Sequence, residues 1–280
     1  MPLSCLDDRA ILAVSGADAR PFLHNLLTVD MDDVDRDGAG YGGLLSPQGK
    51  ILADFLIHKA EDCYLLDVRS ETVEDLLKRL TLYRLRSKVE LRPEPDLAVF
   101  AAWAEDGGGR PADPRFAPLG ARWVAAREGE APHEDLAAWH AWRIEHAVPE
   151  GGIDFVFGDS FPHDAAMDDL GGVDFDKGCF VGQEVVSRMR HRGTARRRIV
   201  AIRARGALPG PGAEIVAGER PVGRLGSSHE TRGIALVRLD RVREALDAKM
   251  PLRAGPEEVD IVLPVWASYG WPAAPSSEGD

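Results

Sequence analysis

Beyond Arg196 the chain becomes a succession of short apolar runs broken by Gly and Pro: "RIVAIRA", "AEIVA", "PVGRLGSS", "GIALVRL" and "EVDIVLPV". Runs this short, rich in Val and Ile and each closed by turn formers, read as strands, and several in a row spell a small β-barrel. The barrel uses only the C-terminal part of a 280-residue chain. A chain of that length exceeds the comfortable size of one hydrophobic core, so two or three domains are expected. The closing "PAAPSSEGD" has no apolar periodicity and is expected to fray.

Upstream the texture is mixed. "RAILAVSG" reads as a strand, and Asp18 is placed to cap a helix through "ARPFLHNLL" with Phe22, Leu23, Leu26 and Leu27 on its apolar side. "YGGLLS", "KILADFLIHKA" and "CYLLDVR" read as three further strands. A helix over 71–82 presents Val73, Leu76, Leu77 and Leu80, and "KVELR" and "LAVFAAW" follow it as strands. The turn formers of residues 105–120 predict a loop joining "LAVFAAW" to "ARWVAAR" as a hairpin. A third helix is expected over 134–146 and another near 183. Strands and helices do not alternate regularly, which selects α+β over a doubly wound parallel sheet.

With 46 acidic against 34 basic side chains the formal charge is −12, which argues against a surface built to hold nucleic acid. The longest apolar run, residues 97–104, is too short to span a bilayer. "MPLSCLDDRA" has neither the basic start nor the apolar stretch of an export signal, so the expected address is cytoplasmic.

Cys5, Cys63 and Cys179 are too few and too scattered for a disulfide framework or a self-contained metal site. Cys179 has the more suggestive setting, "DFDKGCFVGQEVVSRMRHRGTARRR". If a helix begins at Gly182 or Gln183, with Val185, Val186 and Met189 inward, the thiol lies near its positive end with the Lys177 ammonium close by. Both features favour the thiolate. Gly178 and Gly182 would let the backbone bend and approach a ligand. The competing reading is an inert thiol buried as a small hydrophobe. His191 is one helical span away and makes no convincing Cys–His pair.

From Val185 to Ala213 there is no acidic residue, while Arg188, Arg190, Arg192, Arg196, Arg197, Arg198, Arg203 and Arg205 fall inside. Such a run either pairs with acids elsewhere and forms a solvated face, or receives an anion or an acidic partner. It lacks the interleaved aromatics of an RNA platform, so direct nucleic-acid binding is not expected.

"KGCFVGQEVVSR", preceded by "FPHDAAMDDLGGVDF", resembles the signature of the YgfZ-type proteins, folate-binding iron–sulfur assembly factors and cousins of the glycine-cleavage T-protein, a tetrahydrofolate-dependent aminomethyltransferase. "FLHNLLTVDM", "GLLSPQGKILADFLIHK" and "YRLRSKVEL" look like further blocks of that superfamily. The resemblance covers roughly residues 10–265. It implies a T-protein-like ring of three domains around a folate-sized opening: a discontinuous α+β unit (1–40 and 130–192), a second α+β unit (41–129), a C-terminal barrel (193–268) and a tail (269–280).

The resemblance also implies a role in maturing iron–sulfur proteins, with an indirect effect on tRNA modification and tetrahydrofolate as ligand. Lys177, Gly178, Cys179, Phe180, Gly182, Gln183 and Glu184 carry the motif. Cys179 is then a shared or transient iron–sulfur ligand, completed by an A-type carrier protein or a client enzyme. T-proteins have two adjacent aspartates where this chain has Ala53 and Asp54, so one carboxylate survives. Folate-dependent aminomethyl transfer, with Asp54 as its catalytic acid, is the alternative activity, which the loss of the second carboxylate counts against; the resemblance also implies Asp54 as a folate contact. Asp164 in "Pro162-His163-Asp164" matches the glutamate that reads the pterin ring. Arg84 and Arg188 are the arginines expected for the anionic folate tail.

Overall fold

The computed structural model describes residues 1–104, 109–193 and 195–272. The chain opens with β1 (Leu3–Cys5) and β2 (Arg9–Ser15), then α1 (Ala19–Leu26) and α2 (Met31–Asp37). Asp18 occupies the N-cap position of α1 without capping it; its carboxylate accepts from the Lys88 N–H instead. The second helix was not expected from so acidic a segment. Its ends were nonetheless written in the chain: Asp30 caps it through the Asp32 N–H, Asp32 and Asp33 sit in the positive first turn, and Gly38 stops it with a φ of 81°.

Next come β3 (Ala39–Leu45), β4 (Ile51–Lys59), β5 (Cys63–Arg69), α3 (Val73–Arg84) and β6 (Glu90–Pro93). With β2 these strands form an antiparallel sheet in the order β3-β4-β5-β2-β6. Leu12, Val14, Phe55, Ile57, Leu66 and Val68 share a core with Leu23, Leu26, Val34, Leu76 and Leu80 of the helices. The strand period of two puts Arg9, Asp54, His58, Asp67 and Arg69 on the opposite face. That face is buried as well.

A three-stranded sheet follows, β1-β7-β8, from β7 (Leu97–Ala102) and β8 (Ala121–Ala126), which form the expected hairpin. Residues 105–108 of its loop lie outside the described residues. The helix expected over 134–146 is α4 (Leu136–Glu145), capped by Asp135. Residues 147–182 then run as turns to α5 (Gln183–Arg192).

The barrel comprises β9 (Arg197–Ala204), β10 (Glu214–Ala217), β11 (Arg220–His229), β12 (Arg232–Arg238), β13 (Leu252–Ala254) and β14 (Glu257–Val262), with α6 (Leu239–Asp247) between β12 and β13. It closes in the order β10-β11-β12-β9-β14-β13, which leaves no free edge. The expected strands are all present, and α6 and the short β13 are additions. The expected fraying of the tail concerns residues that, from 273 on, lie outside the described ones.

Strand pairing does not respect the boundaries expected at 40/41 and 129/130. β2 is inserted between β5 and β6, and β1 joins the β7–β8 hairpin. Local patterning marks a strand but not its partner, so a boundary drawn along the chain misses a strand that pairs across it.

Candidate functional site: a cysteine loop clamped to the first helix

Cys179 is exposed. The inert buried thiol is thereby excluded, and the reason lies in how its loop is held. Asp174 accepts the N–H groups of Asp176 and Lys177 at 2.7 and 2.9 Å, bending the chain into a tight turn. The Lys177 side chain then runs inward, and its Nζ donates to the carbonyls of His24, Leu27 and Val29 at 2.5, 2.7 and 2.8 Å. These carbonyls lie at and just beyond the end of α1, where orphaned acceptors need donors. Thr28 completes the stitching, donating to the Gly172 carbonyl and accepting from the Gly43 N–H.

This corrects the expectation that the Lys177 ammonium serves the thiol. All three of its protons are committed to backbone oxygens, and burial pushes its pKa down to about 8. The two glycines also separate in role. Gly182 has a φ of 82°, and a Cβ there would sit 2.6 Å from the Ser46 carbonyl oxygen and 3.0 Å from Gly49 Cα. The cysteine loop and the β3–β4 turn approach too closely for any side chain. A Cβ on Gly178 would meet nothing within 4 Å, so no close approach demands glycine there. The helix starts at Gln183 as expected, with Val186 buried and Phe180 packed into the core.

The arginine run divides in two. Arg188 pairs with Glu184 one turn earlier on the exposed face of α5. Arg197 bridges Asp159 at 2.9 Å and Asp164 at 2.8 Å, and Arg198 holds Asp168 at 2.9 Å. Those arginines fasten the barrel to the turns of residues 159–168. Arg190 lies over the Phe175 ring, 4.1 Å from its centroid, and neither it nor Arg196 has an acidic partner among the described residues.

The residues assigned to folate have separate surroundings. Asp164 is buried with Oδ2 already accepting the Phe161 N–H and Arg197, so it behaves as a turn cap and ion-pair partner and does not fit a pterin-reading role. Arg84 sits at the end of α3, directed to the Val89 carbonyl and lining a cleft with Gly16 and Ala17. Arg188 is on the exposed face of α5. Asp54 alone faces the interior: Tyr41 donates to its Oδ2 at 3.0 Å, its Oδ1 has no hydrogen-bond partner, and burial raises its pKa.

Around Asp54 lies a polar interior that periodicity did not announce. Arg9 and Arg122 clasp Asp67, and Arg115 pairs with Asp113. Arg143 reaches Asp154 at 2.8 Å and Ser227 Oγ at 2.7 Å, tying α4 to the barrel strand β11. Glu150 lies 3.8 Å from both Arg69 Nη1 and Arg143 Nε, and neither of its oxygens has a hydrogen-bond partner. The adjoining Gly151 passes so close to Asp54 and Phe157 that a Cβ would sit 2.4 Å from Asp54 Oδ1.

Asp8, His140 and Glu150 bring potential metal-ligand atoms within 4.8 Å of one another. The charge of Glu150 is already answered by arginines. Burial disfavours its ionised form, but Arg143, Arg9, His140 and Arg115 outweigh it and hold the carboxyl well below the usual range. A cation would have to compete with these fixed charges.

An antiparallel sheet with helices on one face, a second small sheet and a closed six-stranded barrel define a T-protein-like α+β protein. The structure is similar to the glycine cleavage system aminomethyltransferase T from Bartonella henselae, with a TM-score of 0.73 at 16% identity, covering 95% of this chain and 86% of that one. Residues 196–269 match the family model for the CAF17 C-terminal beta-barrel domain. The sequence is 32% identical over 305 residues to the mitochondrial iron-sulfur cluster assembly factor IBA57 of Homo sapiens, covering 95% of this chain and 84% of that protein. It is 29% identical over 312 residues to the Mus musculus protein of the same name, covering 96% and 85%. The chain belongs to the IBA57 family, which bears out the resemblance to the YgfZ-type proteins. Among the described residues, no helix is long and apolar enough to cross a membrane.

Proposed function

We propose that this protein acts in iron–sulfur cluster assembly, with Cys179 as one ligand to a cluster shared with an A-type carrier or handed to a client enzyme. The observation that carries the reading is the exposed thiol on a loop pinned by Lys177 and followed, from Val185 to Ala213, by a stretch with no acidic residue. The relatives named iron-sulfur cluster assembly factors support the same role. A cluster needs about four thiolates or equivalents, and the other two cysteines do not qualify. Burial, with a hydrogen bond to Asp7, pushes the Cys5 thiol up to about 11, and burial raises the Cys63 pKa as well. The remaining ligands therefore come from a partner. The thiol releases its proton as iron binds.

Mixing the protein anaerobically with a cluster-loaded A-type carrier is expected to give a complex with an altered cluster absorption spectrum. Cys179→Ser is expected to abolish both. Indistinguishable spectra and complex yields for wild type and variant would remove Cys179 from the role.

Tetrahydrofolate binding is the second reading, favoured by the unpartnered Asp54 Oδ1 near Glu150, which in turn lies 3.8 Å from an unpartnered Arg69 nitrogen, acceptors and donors of the kind a pterin needs. Aminomethyl transfer is not part of this reading, because the neighbouring position is Ala53 and Asp54 is held by Tyr41. Calorimetric titration with tetrahydrofolate should show binding weakened about tenfold by Asp54→Asn. Equal affinities would exclude Asp54 as a contact.

A further inference from the structure

A cavity of 620 Å³ opens between the C-terminal end of α5, the segment leading into β9, the start of α6 and Tyr269 to Pro272. It is separate from the Asp54 interior, and neither cluster assembly nor folate chemistry makes use of it. Some charges of its wall are already answered: Arg198 holds Asp168 at 2.9 Å, and Asp240 is paired with Arg238 behind it. Arg190 and Arg196 also line it and have no acidic partner among the described residues. The Phe175 ring beneath Arg190 orients that guanidinium without neutralising it.

His163 supplies the second, independent observation. It lines the cavity, is 2% exposed, and neither ring nitrogen has a hydrogen-bond partner. Its Nε2 lies 4.0 Å from Asp168 Oδ2, beyond hydrogen-bond reach. Desolvation, reinforced by Arg198 and Arg190, pushes its pKa down to about 4, so the ring is neutral at pH 7 and offers one donor and one acceptor. Exposed arginines are satisfied by water. A buried imidazole with both nitrogens unpaired is costly unless something polar enters the cavity to meet it.

We propose that this cavity binds a phosphate monoester through Arg190, Arg196 and His163, with the apolar body of the ligand against Met189, Leu239 and Tyr269. Two unmatched guanidinium groups call for a dianionic head, and a phosphate monoester carries close to two charges with three acceptor oxygens. A monocarboxylate would leave one arginine unanswered. Inorganic phosphate would leave the apolar wall uncovered, in a cavity of the size that holds whole small molecules.

The test is calorimetric titration of the full chain with phenyl phosphate, inorganic phosphate, succinate and phenol. Phenyl phosphate is expected to bind most tightly, inorganic phosphate and succinate more weakly, and phenol not at all. Arg190→Gln and Arg196→Gln, at exposed positions that folding tolerates, should each weaken phenyl phosphate by about tenfold or more. The His163 ring nitrogens should shift on binding in a ¹⁵N NMR spectrum. Absence of saturable binding, or affinity unchanged in both arginine variants, would overturn the site. Succinate binding as tightly as phenyl phosphate would overturn the phosphate assignment. None of these measurements requires a cluster or a carrier, so their failure leaves the Cys179 reading untouched.

Discussion

Replacing Asp67 by alanine is expected to lower the free energy of unfolding by about 3–5 kcal/mol, the range for removing one partner of a buried ion pair. Asp67 is fully buried. Its Oδ1 accepts from Arg9 Nε at 2.6 Å and its Oδ2 from Arg122 Nε at 2.8 Å, with Arg122 Nη2 in ion-pair contact at 2.6 Å. Without the carboxylate, two guanidinium groups remain in the interior. Among the described residues, Arg122 is then left with Asp113 as its acidic partner, at 3.9 Å. The same carboxylate makes the effect depend on pH. Burial opposes its ionisation, but Arg122 and Arg9 outweigh burial and hold the pKa well below the unfolded value. A depressed carboxyl pKa contributes stability that is complete above the unfolded value, about 3.9, and is lost as pH falls below it. Urea denaturation should therefore separate wild type and Asp67→Ala most at pH 7, with the gap narrowing below pH 4. A difference under about 1 kcal/mol at pH 7, the scale of an exposed pair, would mean that the arginines find other partners at little expense.

The elements of the barrel were legible because each strand announces itself locally, in alternating Val and Ile closed by Gly or Pro. Strand identity did not extend to pairing: nothing in "RAILAVS" says that it lies between residues 63–69 and 90–93. α6 was legible in principle, since Leu239, Val242 and Ala245 recur at helical spacing, but its charged residues resemble a turn between strands. The interior network was the least visible part. A charged residue on an alternating strand normally faces water, and Arg9, Asp54 and Asp67 violate this because both faces of their sheet are covered. In the cysteine motif, the pattern of residues locates the loop and the helix start but misreads Lys177, and also Gly178, which no close approach requires. The partners that decide what Lys177 does are backbone atoms of residues 24–29, about 150 positions away in the chain, and carbonyl oxygens carry no signature of residue type.

Lys177→Met should reveal that role, because a tripod on three carbonyls and an electrostatic activator of the thiol predict opposite outcomes. Methionine keeps most of the apolar stem but leaves the carbonyls of His24, Leu27 and Val29 without their shared donor, two of these bonds being buried. Hydrogen bonds to a charged group contribute about 1.5–3 kcal/mol each, and one lost together with the penalty for an unsatisfied acceptor puts the total at about 3 kcal/mol or more. Lys177→Arg should not rescue it, since a planar guanidinium cannot direct three N–H groups along the axes of an ammonium tripod. The discriminating measurement is the rate at which Cys179 reacts with iodoacetamide at fixed pH, followed at that residue by mass spectrometry. If the ammonium were held for the thiol, its removal would lower the thiolate fraction and slow alkylation. Because its protons are spent on the end of α1, alkylation in Lys177→Met should be as fast as in wild type or faster as the loop loosens, while cluster transfer declines because the sulfur is no longer held in place. Slower alkylation, restored by Lys177→Arg, would return the lysine to the chemistry of the thiol and overturn the clamp.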